Sequence, residues 1–326
     1  MHKAACLAKT DLTTELVKEF TELQGIVGGL YAGVQDLDRG MPNATRQLIA
    51  QTIYDQYKPE SADDAVPRTV EGAVLSIADK ADTIAGMFAL GLQPTGSKDP
   101  FALRRQANGI VRTIAEHKLP IRTSDLFELA VETFKGSAAE AKFKHDFSPQ
   151  AAIGKFFRER LEFYLREQLG YAYDTVNAVL ASGYDDVVLT VSRADAVSKM
   201  RHSADFESIC AAFKRINNIL QQAYASGTST ATLDSNRFVQ PEENELFEKM
   251  RNANTAFLRL SSQGHYLEAL TELSRLRQPI DKFFDKVLVM APEEAIRANR
   301  IALLETLENG FSAIADFSEI VAEGKA

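Results

Sequence analysis

The chain has 326 residues, 45% hydrophobic and 25% charged, and carries a formal net charge of −8. Such a composition excludes a disordered or fibrous protein, and the length leaves material for two or three cored domains. The acidic balance argues against indiscriminate nucleic-acid binding but leaves room for a specific RNA held by local basic faces.

In chain order, residues 3–20 predict an amphipathic helix with Leu12, Leu16, Val17 and Phe20 on its apolar side. Gly25, Gly28 and Gly29 in QGIVGGLYA predict a bend or a close helix approach. A helix over Gln47 to Lys58 stops before Pro59, and ESADDAVP is a polar loop. Val74, Ile77, Ala81, Ile84 and Phe88 then recur at spacings of three and four, one apolar helix stripe. Asp79, Lys80 and Asp82 on this helix are expected to form intrahelical pairs. Gly91, Pro94 and Gly96 end the helix, and Asp99 stands as N-cap of the next, with Pro100 in its first position. In that next helix Leu103, Ala107, Ile110, Val111 and Ile114 face a core.

Residues 125–135 predict a short helix. Ser148 and Pro149 open a longer one through FFRERLEFYLREQLG, with Phe156, Phe157, Leu161, Tyr164, Leu165 and Leu169 buried and alternating Arg and Glu residues solvated. Gly170 stops it, and YAYDTVNAVLASG follows. From Ser203 or Asp205 onward come FESICAAFKRINNILQQA, NELFEKMRNANTAFLRL, HYLEALTELSRLRQPIDKFFDKV and PEEAIRANRIALLETLENGFSAIADF, all with helical period. No segment alternates like a strand, so the fold class is all-α. The expected regions are 1–122, 123–202 as a helical linker, and a helical bundle over 203–326.

No Gly-rich phosphate loop, no Ser/His/Asp order and no clustered His/Cys ligands occur, so no catalytic residue and no metal site is assigned. Cys6 and Cys210 lack metal spacing and read as reduced thiols of a cytoplasmic protein. No apolar run nears the roughly 20 residues that span a bilayer, and the opening segment lacks a signal core. Two clusters carry the residue types that RNA recognition needs, cations for phosphates and amides for unpaired bases. The first is Lys98, Arg104, Arg105, Asn108 and Arg112, in a stretch from Lys98 to Arg122 holding six Lys/Arg against two Asp/Glu. The second is Lys214, Arg215, Asn217 and Asn218 in AFKRINNI, with Phe213, Ile216 and Ile219 on the packing side. A solvated helix face or a subunit contact is the alternative for each.

The run ADKADT followed by PTGSKDPFALRRQANGIVR resembles the beta subunit of the bacterial two-subunit glycyl-tRNA synthetase. The blocks FFRERLEFYLREQLGYAYDTVNAVLA, AAFKRINNIL and PIDKFFDKVLVMAPEEAIRANRIALL resemble the same family in the same order. The resemblance covers nearly the whole chain and implies the C-terminal half of that subunit, cut before Met1. It implies an HD-like helical domain first and an anticodon-binding bundle of the DALR type last. Glu294, Ala295, Ile296 and Arg297 stand for the DALR tetrapeptide, keeping its Ala and Arg; Phe283, Val287 and Leu288 are expected in the core, and Arg297 and Arg300 either brace the bundle or touch RNA. A working HD site needs metal-binding His residues, but His2 is the only one before residue 117; Asp55-Gln56, Asp79 with Asp82, and His145-Asp146 are the remaining places for ligands. The resemblance further implies tRNA-Gly and an alpha subunit as partners in an alpha2beta2 assembly. ATP and Mg²⁺ would be used at the alpha subunit, with no cofactor in this chain and neither membrane nor DNA as partner. An HD-type phosphohydrolase and a helical assembly scaffold without RNA affinity are the alternative readings.

Overall fold

The computed structural model describes residues 1–143, 148–227 and 232–321. His145 and Asp146 therefore lie outside the described residues. The chain is all-α, and among the described residues the only β pairings are two isolated bridges, Thr95 with Lys98 and Arg122 with Asp186. It divides into two compact units: residues 1–164 with 185–188, and residues 165–184 with 189–326. These units do not follow the expected regions, because 123–164 belong with the first unit and most of the remaining linker with the second.

In the first unit the expected helix over 3–20 is broken. It becomes α1 (His2–Leu7), a 3₁₀ turn at Thr10–Thr13 and α2 (Glu15–Glu19), capped by the Thr14 hydroxyl accepting from Val17 N. Thr and Asp compete for backbone hydrogen bonds in this stretch, which interrupts a helix that apolar spacing alone allows. Val17 is buried, whereas Leu12, Leu16 and Phe20 are exposed. Then follow α3 (Ile26–Val34) and α4 (Asn43–Tyr54), packed against each other. Gly25 supplies the bend with φ +77, and Gly29 the close approach: a Cβ there would sit 2.7 Å from Tyr54 Cβ and 2.8 Å from the Ala50 carbonyl oxygen.

The helix α5 (Val70–Ala89) is the centre of this unit, with α4, α6 (Leu103–His117), α7 (Thr123–Glu132) and α8 (Pro149–Phe163) against it. Its buried side carries Ala73, Ile77, Ala81, Ile84, Ala85 and Phe88, while Val74, expected on the stripe, is 39% exposed. Thr69 caps its start by accepting from Gly72 N. Between α5 and α6, where Gly91, Pro94 and Gly96 are expected to end the helix, Gly91 and Gly96 take positive φ. Asp99 caps α6 from further back than expected: α6 begins at Leu103, and the Asp99 carboxylate accepts from Leu103 N at 2.8 Å and Arg104 N at 2.9 Å. The N-terminus of α7 is capped by a residue distant in sequence. Asp185 accepts from Ser124 N at 2.7 Å and from Arg122 Nε at 2.8 Å.

The second unit holds α9 (Tyr173–Ala181), α10 (Val187–Met200) beyond its first two residues, α11 (Ala204–Ala225), α12 (Pro241–Ser262), α13 (Tyr266–Ser274), α14 (Arg277–Lys286) and α15 (Glu294–Phe311). Its core is aromatic: Phe213 meets Phe311 and Phe317, and Phe257 lies 5.0 Å from Phe311 between ring centroids. Phe283 and Val287 are buried, but Leu288, expected with them, is 66% exposed.

Gly29→Ala is expected to cost about 1–3 kcal/mol, because the added methyl meets backbone and Cβ rather than a flexible tip. Gly33→Ala, with its nearest neighbour at 3.6 Å, is expected to be neutral or mildly stabilising. Urea unfolding of both variants checks the contrast, and equal stabilities would contradict the close approach.

Candidate RNA interface and the adjoining cleft

The first basic cluster does not form one surface. Arg112 is committed internally: its Nη1 donates to the Ala62 and Asp64 carbonyls at 2.7 and 2.6 Å, and its Nε to Glu116. It clamps the polar loop preceding α5. Arg104 donates to the Gly96 carbonyl at 2.7 Å and closes the corner before α6. Asn108 is half-buried, and its Oδ1 accepts no bond among the described residues. Lys98 and Arg105 are exposed. Sequence reasoning missed Arg160 of α8. Burial lowers its pKa, with the positive Arg104 among the further causes, so the two cations lie within each other's field. The Arg/Glu alternation around Arg160 hides this contact, which only the packing of α8 on α6 creates.

The carboxylates considered for a metal are otherwise engaged. Asp55 is wholly buried and takes a two-pronged bond from Arg68, Nε to Oδ2 at 2.9 Å and Nη2 to Oδ1 at 3.0 Å. Gln56 donates to the Ala8 and Ile53 carbonyls. Asp79 pairs with Lys9 at 2.8 Å, correcting the expected intrahelical pair. The Asp82 carboxyl titrates above its ordinary range, through burial first and the neighbouring Asp79 second. Among the described residues no three His, Cys, Asp or Glu side chains are grouped as metal ligands.

Lys80 also departs from expectation. Its side chain is 5% exposed, and its ammonium donates to the carbonyls of Tyr57 at 3.1 Å and Lys58 at 3.0 Å and to Ser76 Oγ at 2.7 Å. Gly109 lets α6 run past it, since a Cβ there would lie 3.3 Å from Lys80 Cε. Burial lowers the Lys80 pKa to about 8, despite the opposing charge of Asp79. Lys80 and Arg105 line one cleft of about 430 Å³ together with Lys9 and Tyr57.

The second cluster is held on α11. Phe213, Ile216 and Leu220 anchor the helix, and Lys214, Arg215 and Asn218 stay exposed. Asn217 is half-buried and donates to Ser318 Oγ at 3.0 Å, which assigns it to the bundle's own packing. The Arg215 guanidinium stacks on Phe284 with its carbon 4.1 Å from the ring centroid. Both border a cleft of about 400 Å³ with the exposed Leu288 and Met290. Phe284 escaped the sequence reading, although its place beside the buried Phe283 in FFDK marks it as facing elsewhere. Arg297 and Arg300 brace the bundle. Arg297 donates to the Ala291 carbonyl at 2.9 Å, and Arg300, 6% exposed, donates to Glu243 Oε1 at 3.0 Å and to the Leu288 carbonyl at 2.8 Å.

The stretch that carries the Arg215–Phe284 pair and the exposed Lys214 and Asn218, residues 209–315, matches the family model of the DALR anticodon binding domain. Residues 1–181 match the model described as glycyl-tRNA synthetase beta subunit, and the chain belongs to that family. Similar relatives are the glycine–tRNA ligase beta subunits of Acidobacterium capsulatum, 49% identical over 98% of this chain, and Syntrophus aciditrophicus, 41% identical over 99%. That of Desulforamulus reducens is 37% identical over all of it. The chain spans 44% of the length of each of these three relatives.

The Lys80 burial gives a pH dependence of fixed sign. Below about pH 8 the folded and unfolded states both carry the proton, and the folded state bears the full desolvation cost. Between about 8 and the ordinary 10.5 the unfolded state holds more protons, so stability rises with pH, by up to about 3 kcal/mol. Lys80→Met removes this term. Urea unfolding of both proteins from pH 7 to 10.5 is expected to show the parent gaining on the variant as pH rises; parallel curves would contradict it.

Proposed function

We propose that this chain is the tRNA-contacting portion of the beta subunit of a glycine–tRNA ligase. In this reading tRNA-Gly is bound here, while glycine activation with ATP and Mg²⁺ occurs at an alpha subunit in an alpha2beta2 assembly in the cytoplasm. The observation that carries it is the second cluster: Lys214 to Asn218 fall inside the anticodon-binding match, beside the cleft bordered by Arg215 and Phe284. A guanidinium held 4.1 Å over an aromatic ring centroid leaves a cation–π platform for an unstacked base, with Leu288 and Met290 as apolar floor. Asn218 supplies an amide for a base edge and Lys214 a charge for a phosphate. In the first unit Lys98, Arg104 and Arg105 remain candidates for backbone contacts, with Asn108 behind them; Arg112 contributes through the loop it clamps.

An assembly role is the second reading, favoured by exposed apolar residues one turn apart on α3, Leu30 at 61% and Val34 at 78%. Among the described residues no helix is long and apolar enough to cross a membrane, so these residues do not belong to a span.

Arg215→Ala is expected to weaken tRNA-Gly binding by about tenfold, the low end of a base-stacking contribution of roughly 1–3 kcal/mol. Lys214→Ala should weaken all tRNAs alike and flatten the salt dependence by roughly one unit. Asn218→Ala should hurt tRNA-Gly more than an unrelated tRNA. Filter-binding titrations with both tRNAs at several salt concentrations read all three. If neither tRNA binds the parent, or every variant binds as the parent does, the assembly reading takes its place. The chain alone is expected to give no glycine-dependent pyrophosphate exchange, since no adenylation motif is present; measurable exchange would contradict that assignment.

A further inference from the structure

We propose that the cleft between the Thr10–Thr13 turn, the Tyr57–Glu60 segment, α5 and α6 binds a single unstacked nucleotide, phosphate toward Arg105 above the buried Lys80, base toward Gln24 and Glu60. Its volume of about 430 Å³ lies within the range of roughly 300 to 1,000 Å³ typical of small-molecule sites.

Charge places the phosphate. Of the three cations lining the cleft, Lys9 has a carboxylate partner in Asp79 and rests over the Tyr57 ring at 3.9 Å from its centroid. Lys80 hydrogen-bonds to neutral acceptors only, while the carboxylates of Asp79, which also lines the cleft, and of Glu60 and Asp64 act on its charge without bonding to it. All three of its protons are taken, and it therefore acts on a ligand through its field rather than by a hydrogen bond. Arg105 is exposed at the rim, and its guanidinium meets no acceptor among the described residues. Its planar fork matches two phosphate oxygens. A buried charge below and a forked donor above make an anion subsite from two different elements, α5 and α6.

The rest of the lining selects against a bare anion. Leu12 and Pro59 give apolar walls, and Gln24 and Gln106 add amides that both donate and accept. Glu60 can accept from a ring N–H or an exocyclic amine, as carboxylates do from base edges. A planar heterocycle with a polar edge, linked to a phosphate, satisfies all of these at once. The nucleotide can come from a free mononucleotide or from an unstacked residue of an RNA strand, and the chemistry is the same. This inference does not rest on the tRNA reading, whose test lies at Arg215 in the second unit.

The experiment titrates the full 326-residue chain by calorimetry and ligand-observed NMR. The probes are AMP, GMP, CMP and UMP, the matching nucleosides, inorganic phosphate and a single-stranded RNA hexamer. Mononucleotides are expected to bind saturably at micromolar to low millimolar concentration, with nucleosides and phosphate at least tenfold weaker. Arg105→Ala and Lys9→Ala are each expected to weaken binding at least tenfold, with unchanged circular dichroism and thermal melting. Arg215→Ala should leave mononucleotide binding unaltered. A hexamer much tighter than any mononucleotide identifies a strand residue as the occupant, and equal affinities identify a free nucleotide. Absence of saturable binding by mononucleotides and hexamer alike overturns the proposal. So does phosphate binding as tightly as the nucleotides, or affinity unchanged in both Arg105→Ala and Lys9→Ala.

Discussion

The first unit depends on where one ammonium group is held. Lys80 sits on the buried side of the central helix α5, where an apolar residue would be ordinary. A charge there is tolerable only if its donors are satisfied. The carbonyls of Tyr57 and Lys58 and the Ser76 hydroxyl do this, so the segment after α4 must run directly over α5. Once it does, the next features follow. Asp55, at the C-terminal end of α4, is buried and takes Arg68 from the segment entering α5. The loop between them is then long enough to need a second tether, which Arg112 provides from α6. Among the described residues the polar groups of this helical unit serve as struts between its segments.

The second unit solves a similar problem with a buried ion pair. Arg300 and Glu243 are 6% and 1% exposed, and Glu243 also accepts from the backbone N–H of Val239 and Gln240. Burial raises the Glu243 pKa, but the bonds from Arg300 and these backbone groups outweigh it, and the net direction is down. The pair joins α12 to α15 and, through the Leu288 carbonyl, fixes the segment after α14. Leu288 and Met290 are thereby turned outward beside Phe284, so a structural ion pair positions the floor of the candidate RNA site.

Much of this was legible in the sequence. Helical period and turn punctuation gave the all-α class, most helix spans and the glycine-marked bends and helix ends, because those signals are local. What failed was non-local. Val74 and Lys80 exchange the roles that periodicity assigns them, since only the folded loop offers Lys80 its acceptors. Asp99 was recognised as a cap, but at the wrong distance, because the turn through Ala102 at φ 53 brings it to Leu103 N and Arg104 N. The spacing of Arg104, Arg105 and Arg112 predicted a shared basic face. The carbonyls that hold Arg104 and Arg112 lie outside α6, so the sequence could not reveal that Arg112 was already committed. Arg215 was found as part of a basic amide-rich run, whereas its stacking partner Phe284 lies far away in the chain.

The cap on α7 has a bearing on biosynthesis. Asp185 closes that helix from more than sixty residues downstream, accepting from the backbone of both Thr123 and Ser124 through its carbonyl and carboxylate. As the chain is made from its N-terminus, α7 emerges with an open first turn and stays so until residue 185 has been added. The first unit is therefore not a contiguous product of translation, and its last stitch is delivered after the start of the second unit has been synthesised. A gene fragment ending at residue 164 would express that unit with one helix lacking its anionic lid, however complete its core.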